Sequence, residues 1–210
     1  MVGGAGTGPS VSAIRTFLLL SAIPCPLSAI RHLLSAYNPG LPTESRDPTM
    51  TITKGTADHC DEHGDELQVC EPIFGMFGGR RAFAGPVSTV RCFEDNSRVK
   101  EAVESPGEGR VLVVDGGGSR RRALFGGNLG TAAVRNGWAG IIIHGCIRDS
   151  AELAQLNLGI RALGTMPLRS DKRGEGERDV PVRFAGVTFR PGDHVYVDED
   201  GVVVAHRPLD

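Results

Sequence analysis

The sequence predicts an α/β layered domain, with a strand–helix–strand unit at its centre and β-hairpins on its C-terminal side. Three observations predict it. Two short runs of branched apolar residues, 111–115 and 140–144, are continuous enough to be buried strands. Between them lies a helical stretch at 129–138, with Leu129, Ala132, Ala133 and Trp138 on the packed side. From residue 160 onward the chain breaks into short β-rich segments separated by turn residues. Alternating strand and helix followed by hairpins is the pattern of a layered α/β fold.

In chain order, residues 1–49 read as an extension and residues 50–210 as the folded domain. From Met1 to Thr43 there is no Asp or Glu. The apolar run 17–23 is followed by Pro24 and Pro26, which makes it too short and interrupted to span a bilayer. A transit peptide with Arg15 and Arg31, a signal peptide, or an extension upstream of a start at Met50 all suit this segment. Thr56 caps a polar helix through His59 to about His63, with Gly64 as its stop. Glycine-punctuated residues 77–86 lead into a strand at 87–93, and 97–104 reads as a helix. The strand at 111–115 stops at Gly116, Gly117 and Gly118, and a tight loop follows at Gly126, Gly127, Asn128 and Leu129. After the strand at 140–144 comes a short helix from about Ser150 to Leu156. The tail reads as strands at 160–168 (broken at Gly164), 180–184, 187–189, 194–197 and 202–205. Pro191-Gly192 and Glu199-Asp200-Gly201 turn the chain between them.

A chain of 210 residues suits one domain with an appendage, and 40% hydrophobic residues suffice for a core. The net charge is −2 without a long basic stripe, which argues against direct nucleic-acid binding. The five cysteines are odd in number and form no CxxC pair, so they read as reduced thiols of a cytoplasmic protein.

Four features invite a chemical reading. Arg148 and Asp149 follow a buried strand, at the edge where open α/β sheets place ligands. A guanidinium offers forked donors to a carboxylate or oxo group, while a carboxylate ligates a hard cation. The same pair could instead pin a loop. The glycines at 116–118 fit neither common phosphate-loop template, leaving a sharp turn or a close ligand approach. His59-Cys60-Asp61-Glu62-His63 has helical spacing for zinc, but no further ligand follows, and a solvated helix face is the simpler reading. Cys146 with His144 could form an activated thiol, or Cys146 could simply pack.

Seven stretches together resemble the RraA-like family, which includes the regulator of ribonuclease E activity and class II 4-hydroxy-4-methyl-2-oxoglutarate aldolases that also decarboxylate oxaloacetate. They are EPIFGMFGG at 71–79, FAGPVSTV at 83–90, VLVVDGGGS at 111–119, NGWAG at 136–140, GCIRD at 145–149, GEGERDV at 174–180 and FAGVTF at 184–189. The resemblance implies a swivelling β/β/α fold and a homotrimer, sometimes paired into a hexamer. It implies that the amides of Gly126, Gly127, Asn128 and Leu129 hold the substrate carboxylate. Arg148 would contact the substrate's oxo or carboxylate oxygens, and Asp149 would ligate a divalent metal, Mg²⁺ or Mn²⁺. Aldolases of the family commonly carry Asp where this chain has Gly127, and a neighbouring subunit's C-terminal region can bring an acidic residue near the metal. Some relatives bear an old menaquinone-methyltransferase label, but this chain lacks the glycine-rich motif of such enzymes.

The resulting expectation is a metal-dependent lyase that cleaves small 2-oxo acids to pyruvate, with Arg148 and Asp149 as its catalytic residues. No Lys stands in the central motifs to form a Schiff base, in keeping with metal-type chemistry. The alternative is a non-catalytic regulator that binds and inhibits an RNA-processing ribonuclease. Neither reading requires a membrane.

Overall fold

The computed structural model of the protein describes residues 54–209. The extension read at 1–49 lies outside them. The described chain forms four α-helices, α1 (Thr56–His63), α2 (Ser97–Glu104), α3 (Gly127–Arg135) and α4 (Ser150–Leu153), and twelve strands. The central strands are β3 (Phe83–Arg91), β4 (Val111–Asp115), β6 (Gly140–Ile147) and β7 (Gly159–Thr165), all parallel to their neighbours in the order β3-β4-β6-β7. Short β5 (Ala123–Phe125) adds to the end of β6, also parallel. On the far side of β3, β11 (His194–Val197), β12 (Val202–Ala205) and β1 (Leu67–Val69) continue the sheet antiparallel. β2 (Gly75–Met76) edges β7, and β8 (Glu177–Arg178) pairs with β3. β9 (Val182–Phe184) and β10 (Val187–Phe189) form a separate hairpin.

Strand alternation sorts the core into two layers. Leu112, Val114, Ile141 and Ile143 face α2, α3 and α4 together with Val99, Ala102, Ala133 and Leu153. Val111, Val113 and Ile142 face the other way, onto Val182, Phe184, Val187 and Phe189 of the hairpin and onto Val195 and Val204. The result is a helix layer, a sheet and a β layer, as the sequence pattern predicts. Both faces of the central strands are covered, which is why they read as continuous apolar runs.

Boundaries differ where tertiary partners decide them. Helix α3 begins at Gly127 and ends at Arg135, so the expected loop at 126–129 is the helix's cap and first turn. Gly137, at φ +76°, turns the chain out of the helix after Asn136. Trp138 is therefore not helical. It is buried from the following loop, with its Nε1 donating to the Ser105 carbonyl at 3.2 Å. Thr56 does not cap α1. It is the first helical residue, and its amide and hydroxyl both donate to the distant Asp198 carboxylate at 2.6 Å. Gly64 opens a 3₁₀ turn instead of stopping the chain.

Strand β3 starts four residues earlier than expected because β11 pairs with Phe83–Pro86. β6 runs three residues past His144, where β5 supplies ladder partners for Cys146 and Ile147. α4 is one turn shorter than expected. Strands β1, β2, β5 and β8 have two or three residues each and carried no readable periodicity.

Candidate active site

The parallel strands end on one edge, and the chain returns there twice. β5 delivers Gly126 at the cap of α3, and β6 delivers Arg148 and Asp149 at the start of α4. The Arg148 amide donates to the Phe125 carbonyl at 2.9 Å, which locks the two strand ends together. Asp149 holds a left-handed conformation, φ 55° and ψ 39°, a region most side chains avoid and Asp tolerates. That turn points its carboxylate back to α3, where Oδ2 accepts the Gly127 amide at 3.1 Å. Arg148 Nε lies 3.4 Å from the same oxygen. The two side chains are 38% and 40% exposed, so both stay open to solvent while Asp149 ties the turn to the start of α3.

Glycine at 126 is a steric requirement. A Cβ there would sit 2.7 Å from Asp149 Oδ2 and 3.0 Å from Arg148 Cγ. Its backbone is extended, φ −157°, so space and not conformation excludes a side chain. Gly127 is buried, and its amide is already given to Asp149. The first intrahelical bond is Gly130 N–H to Gly126 O, which leaves the Asn128 and Leu129 amides as open donors at the positive end of the helix.

These residues wall a cleft of about 320 Å³. Gly126, Asn128, Leu129, Arg148 and Asp149 all line it; Gly127 does not, but is held to Asp149 by its amide, so the structure brings the predicted site residues together. The rest of the polar lining was not foreseen and includes Asn96, Lys100, Arg169, Ser170 and Lys172. Asn96 Oδ1 and Ser170 Oγ are buried without a partner, and four cations face only two carboxylates, Glu104 and Asp149. Lys100 lies 3.6 Å from Glu104 and offsets that charge. Such a cleft suits a small polyanion.

Asp95 anchors the segments that carry Asn96 and Lys172. It is fully buried, and burial alone would raise its carboxyl. Hydrogen bonds from Ser97 and from the Arg173 and Glu175 amides outweigh that and hold it below the usual carboxylate range. Those bonds tie the 171–175 loop to the start of α2. Sequence carried no signal for this part of the lining, because its residues meet only through contacts such as Ser170 N–H to Ala123 O.

Beside Arg148, the cleft offers a hard divalent cation one carboxylate, Asp149. No hydrogen bond ends on Asp149 Oδ1, so one oxygen is available to ligate. Among the described residues no group of three His, Cys, Asp or Glu gathers around a point, so Asp149 would offer a cation one protein ligand, and water and substrate oxygens would complete the shell.

The other candidates resolve differently. His59 is only 3% exposed and packs on Tyr196 with ring centroids 4.5 Å apart, so α1 does not present a solvated His face there. Burial, then the neighbouring Lys54 and His63 charges, lowers its pKa. Gly116 and Gly118 both donate to the His144 carbonyl at 3.1 Å, and Gly117 and Gly118 have φ of +64° and +70°, so the three glycines form a sharp strand-end turn. His144 stacks on Phe184 and faces Asp115 at 3.4 Å. Cys146 is buried, and burial pushes its thiol pKa up, the reverse of what a nucleophile needs. Its burial matches the packing reading of Cys146. The four described cysteines are all free thiols.

A family model described as RraA-like, Aldolase/RraA, matches residues 56–204, which takes in α1 and nearly all of the sheet. The chain belongs to the RraA-like family. A Laribacter hongkongensis relative is 61% identical over 154 residues, covering 73% of this chain and 97% of its own length, and bears the provisional name 4-hydroxy-4-methyl-2-oxoglutarate aldolase. An Alkalilimnicola ehrlichii relative of the same name is 60% identical, over 73% of this chain and 96% of its own length. Among solved structures, the RNA-processing inhibitor RraA from Thermus thermophilis aligns with a TM-score of 0.73 at 44% identity, covering 76% and 96% of the two chains. A Geobacillus kaustophilus structure described as a 2-dimethylmenaquinone methyltransferase aligns at 0.72 and 55%, covering 74% and 97%. In this RraA-like chain a large mixed sheet carries few helices. Among the described residues no helix is long and apolar enough to cross a membrane.

Proposed function

We propose that this chain is a lyase that cleaves 4-hydroxy-4-methyl-2-oxoglutarate or a similar 2-oxo dicarboxylic acid, releasing pyruvate, with Mg²⁺ or Mn²⁺ on Asp149 and with oxaloacetate decarboxylation as a side activity. The observation that carries it is the convergence of Arg148, Asp149 and the open amides of α3 on one cationic cleft. Relatives of 60% identity and more named as aldolases support the reaction class.

The Asn128 and Leu129 amides receive the carboxylate beside the 2-oxo group, helped by the helix dipole. Arg148 presents its fork to the 2-oxo oxygen and stabilises the negative charge that gathers there as the carbon–carbon bond breaks. Lys100, Arg169 and Lys172, with Asn96 and Ser170, which line the same cleft, take the second carboxylate. A divalent cation on Asp149 would supply a Lewis acid for the oxo group. In the assembled protein we propose a homotrimer or a pair of trimers.

Pyruvate release from 4-hydroxy-4-methyl-2-oxoglutarate and from oxaloacetate, followed by coupled reduction with and without Mg²⁺ and EDTA, tests the proposal. Metal-stimulated release supports it. The likeness to an RNA-processing inhibitor favours a second reading, a regulator that docks on a ribonuclease. No release from either acid, with inhibition of a ribonuclease, would select that reading instead.

A further inference from the structure

The space where a side chain at residue 127 would project is filled by another residue. An ideal Cβ on Gly127 would lie 2.1 Å from Glu152 Oε2 and 2.4 Å from Oε1. Glu152 comes from the first turn of α4, three residues after Asp149, and its amide donates to the Asp149 carbonyl at 3.0 Å. The two carboxylates thus leave the same turn, toward the same helix end. The Gly127 amide is 3.1 Å from Asp149 Oδ2, which with ordinary backbone dimensions puts the two carboxylates no more than about 8 Å apart. Among the described residues no ion pair or hydrogen bond engages the Glu152 carboxylate, which is on an exposed residue. The adjoining cleft carries a separate sign of a ligand: Ser170 is 4% exposed, and its hydroxyl lines the cavity unpartnered.

We infer that Glu152 is a positioning residue for the cation site, its carboxylate reaching across Gly127 to accept hydrogen bonds from water held with the metal on Asp149. The inference rests on the proposed metal-dependent reading. A cation with a single protein ligand keeps several waters, and each needs an acceptor fixed in place. Asp149 Oδ2 is committed to Gly127 and Arg148, so it cannot serve. Glu152 is the free carboxylate on the same turn. Gly127 then has a reason beyond helix entry: it leaves room for that carboxylate.

The test is Mn²⁺ binding to the full chain by titration calorimetry, with no substrate present, beside kcat and KM for pyruvate release. Glu152→Gln keeps shape and exposure and removes the charge. It should weaken Mn²⁺ about tenfold, the low end for residues behind a metal ligand, and lower kcat more than it raises KM. Glu152→Ala should do the same. Adding Gly127→Asp to Glu152→Ala places a carboxylate in the vacated space and should restore Mn²⁺ affinity to within about threefold. Gly127→Asp alone meets Glu152 and should not tighten binding. Unchanged Mn²⁺ affinity and kcat in Glu152→Gln, with Asp149→Ala abolishing binding, would overturn this inference alone and leave Glu152 as a helix-end charge. Absence of Mn²⁺ binding in the unmodified chain would overturn the metal-dependent reading and this inference together.

Discussion

Gly126→Ala probes the site with a single methyl group. The added carbon would lie 2.7 Å from Asp149 Oδ2 and 3.0 Å from Arg148 Cγ, where ordinary contact begins at 3.4 Å. Asp149 must retreat by at least about 0.7 Å and Arg148 by about 0.4 Å. Both side chains are more than a third exposed, so they have somewhere to go and the fold survives. The backbone at 126 is extended, and alanine adopts it without strain. The cost in stability is therefore small, on the order of 1 kcal/mol or less, from a loosened Gly127 N–H to Asp149 bond. The chemical cost is larger. A shift approaching 1 Å in a positioned catalytic group lowers the rate by about a hundredfold. The assay is kcat/KM for pyruvate release at saturating Mg²⁺, with the melting temperature measured alongside. A folded variant with unimpaired kcat/KM would refute the claim that Arg148 and Asp149 act from their present positions.

Three further outcomes follow from the same geometry. Arg148→Lys should lose at least about tenfold in kcat/KM, because a point charge replaces the fork that faces the cleft, and near-normal kinetics would make Arg148 structural. Asp95→Asn should destabilise the fold by about 1–3 kcal/mol near neutral pH, read by denaturant unfolding, because a buried charged acceptor is lost. The folded Asp95 pKa lies below its unfolded value, so its contribution is complete above the ordinary Asp range and fades as pH falls below about 4; the gap between the two proteins should close there, and a gap independent of pH would contradict the assignment. Lys172→Ala should raise KM for a dicarboxylic 2-oxo acid several-fold while leaving Mn²⁺ affinity unchanged, since it lines the cleft as a cation and not as a metal ligand; equal effects on both would contradict that role.

Much of the layering was legible because both faces of β4 and β6 are covered, so Val111–Val114 and Ile141–Ile143 announce themselves as apolar runs. Arg148 and Asp149 were legible for the same reason: they stand where such a run ends. Gly126 was legible as a glycine but not as a helix cap, since the start of α3 is set by contact with Asp149, 22 residues later. Thr56 misled in the same way, because Asp198 caps α1 from 142 residues away. The Asn96–Ser170–Lys172 wall was silent in the sequence, as no local pattern marks residues that meet through loop-to-strand bonds. Glu152 was equally silent, because its role depends on a space that exists only once α3 and α4 are packed.

The central claim is that Asp149 holds the cation on which cleavage depends, and one comparison tests it most directly. Pyruvate release from 4-hydroxy-4-methyl-2-oxoglutarate is measured for the unmodified protein and for Asp149→Asn across a Mg²⁺ titration, each with an EDTA control. The geometry predicts a saturable Mg²⁺ response, abolished by EDTA, and a flat line at or near background for Asp149→Asn. A variant that keeps the Mg²⁺ response, or an unmodified protein indifferent to EDTA, would contradict it.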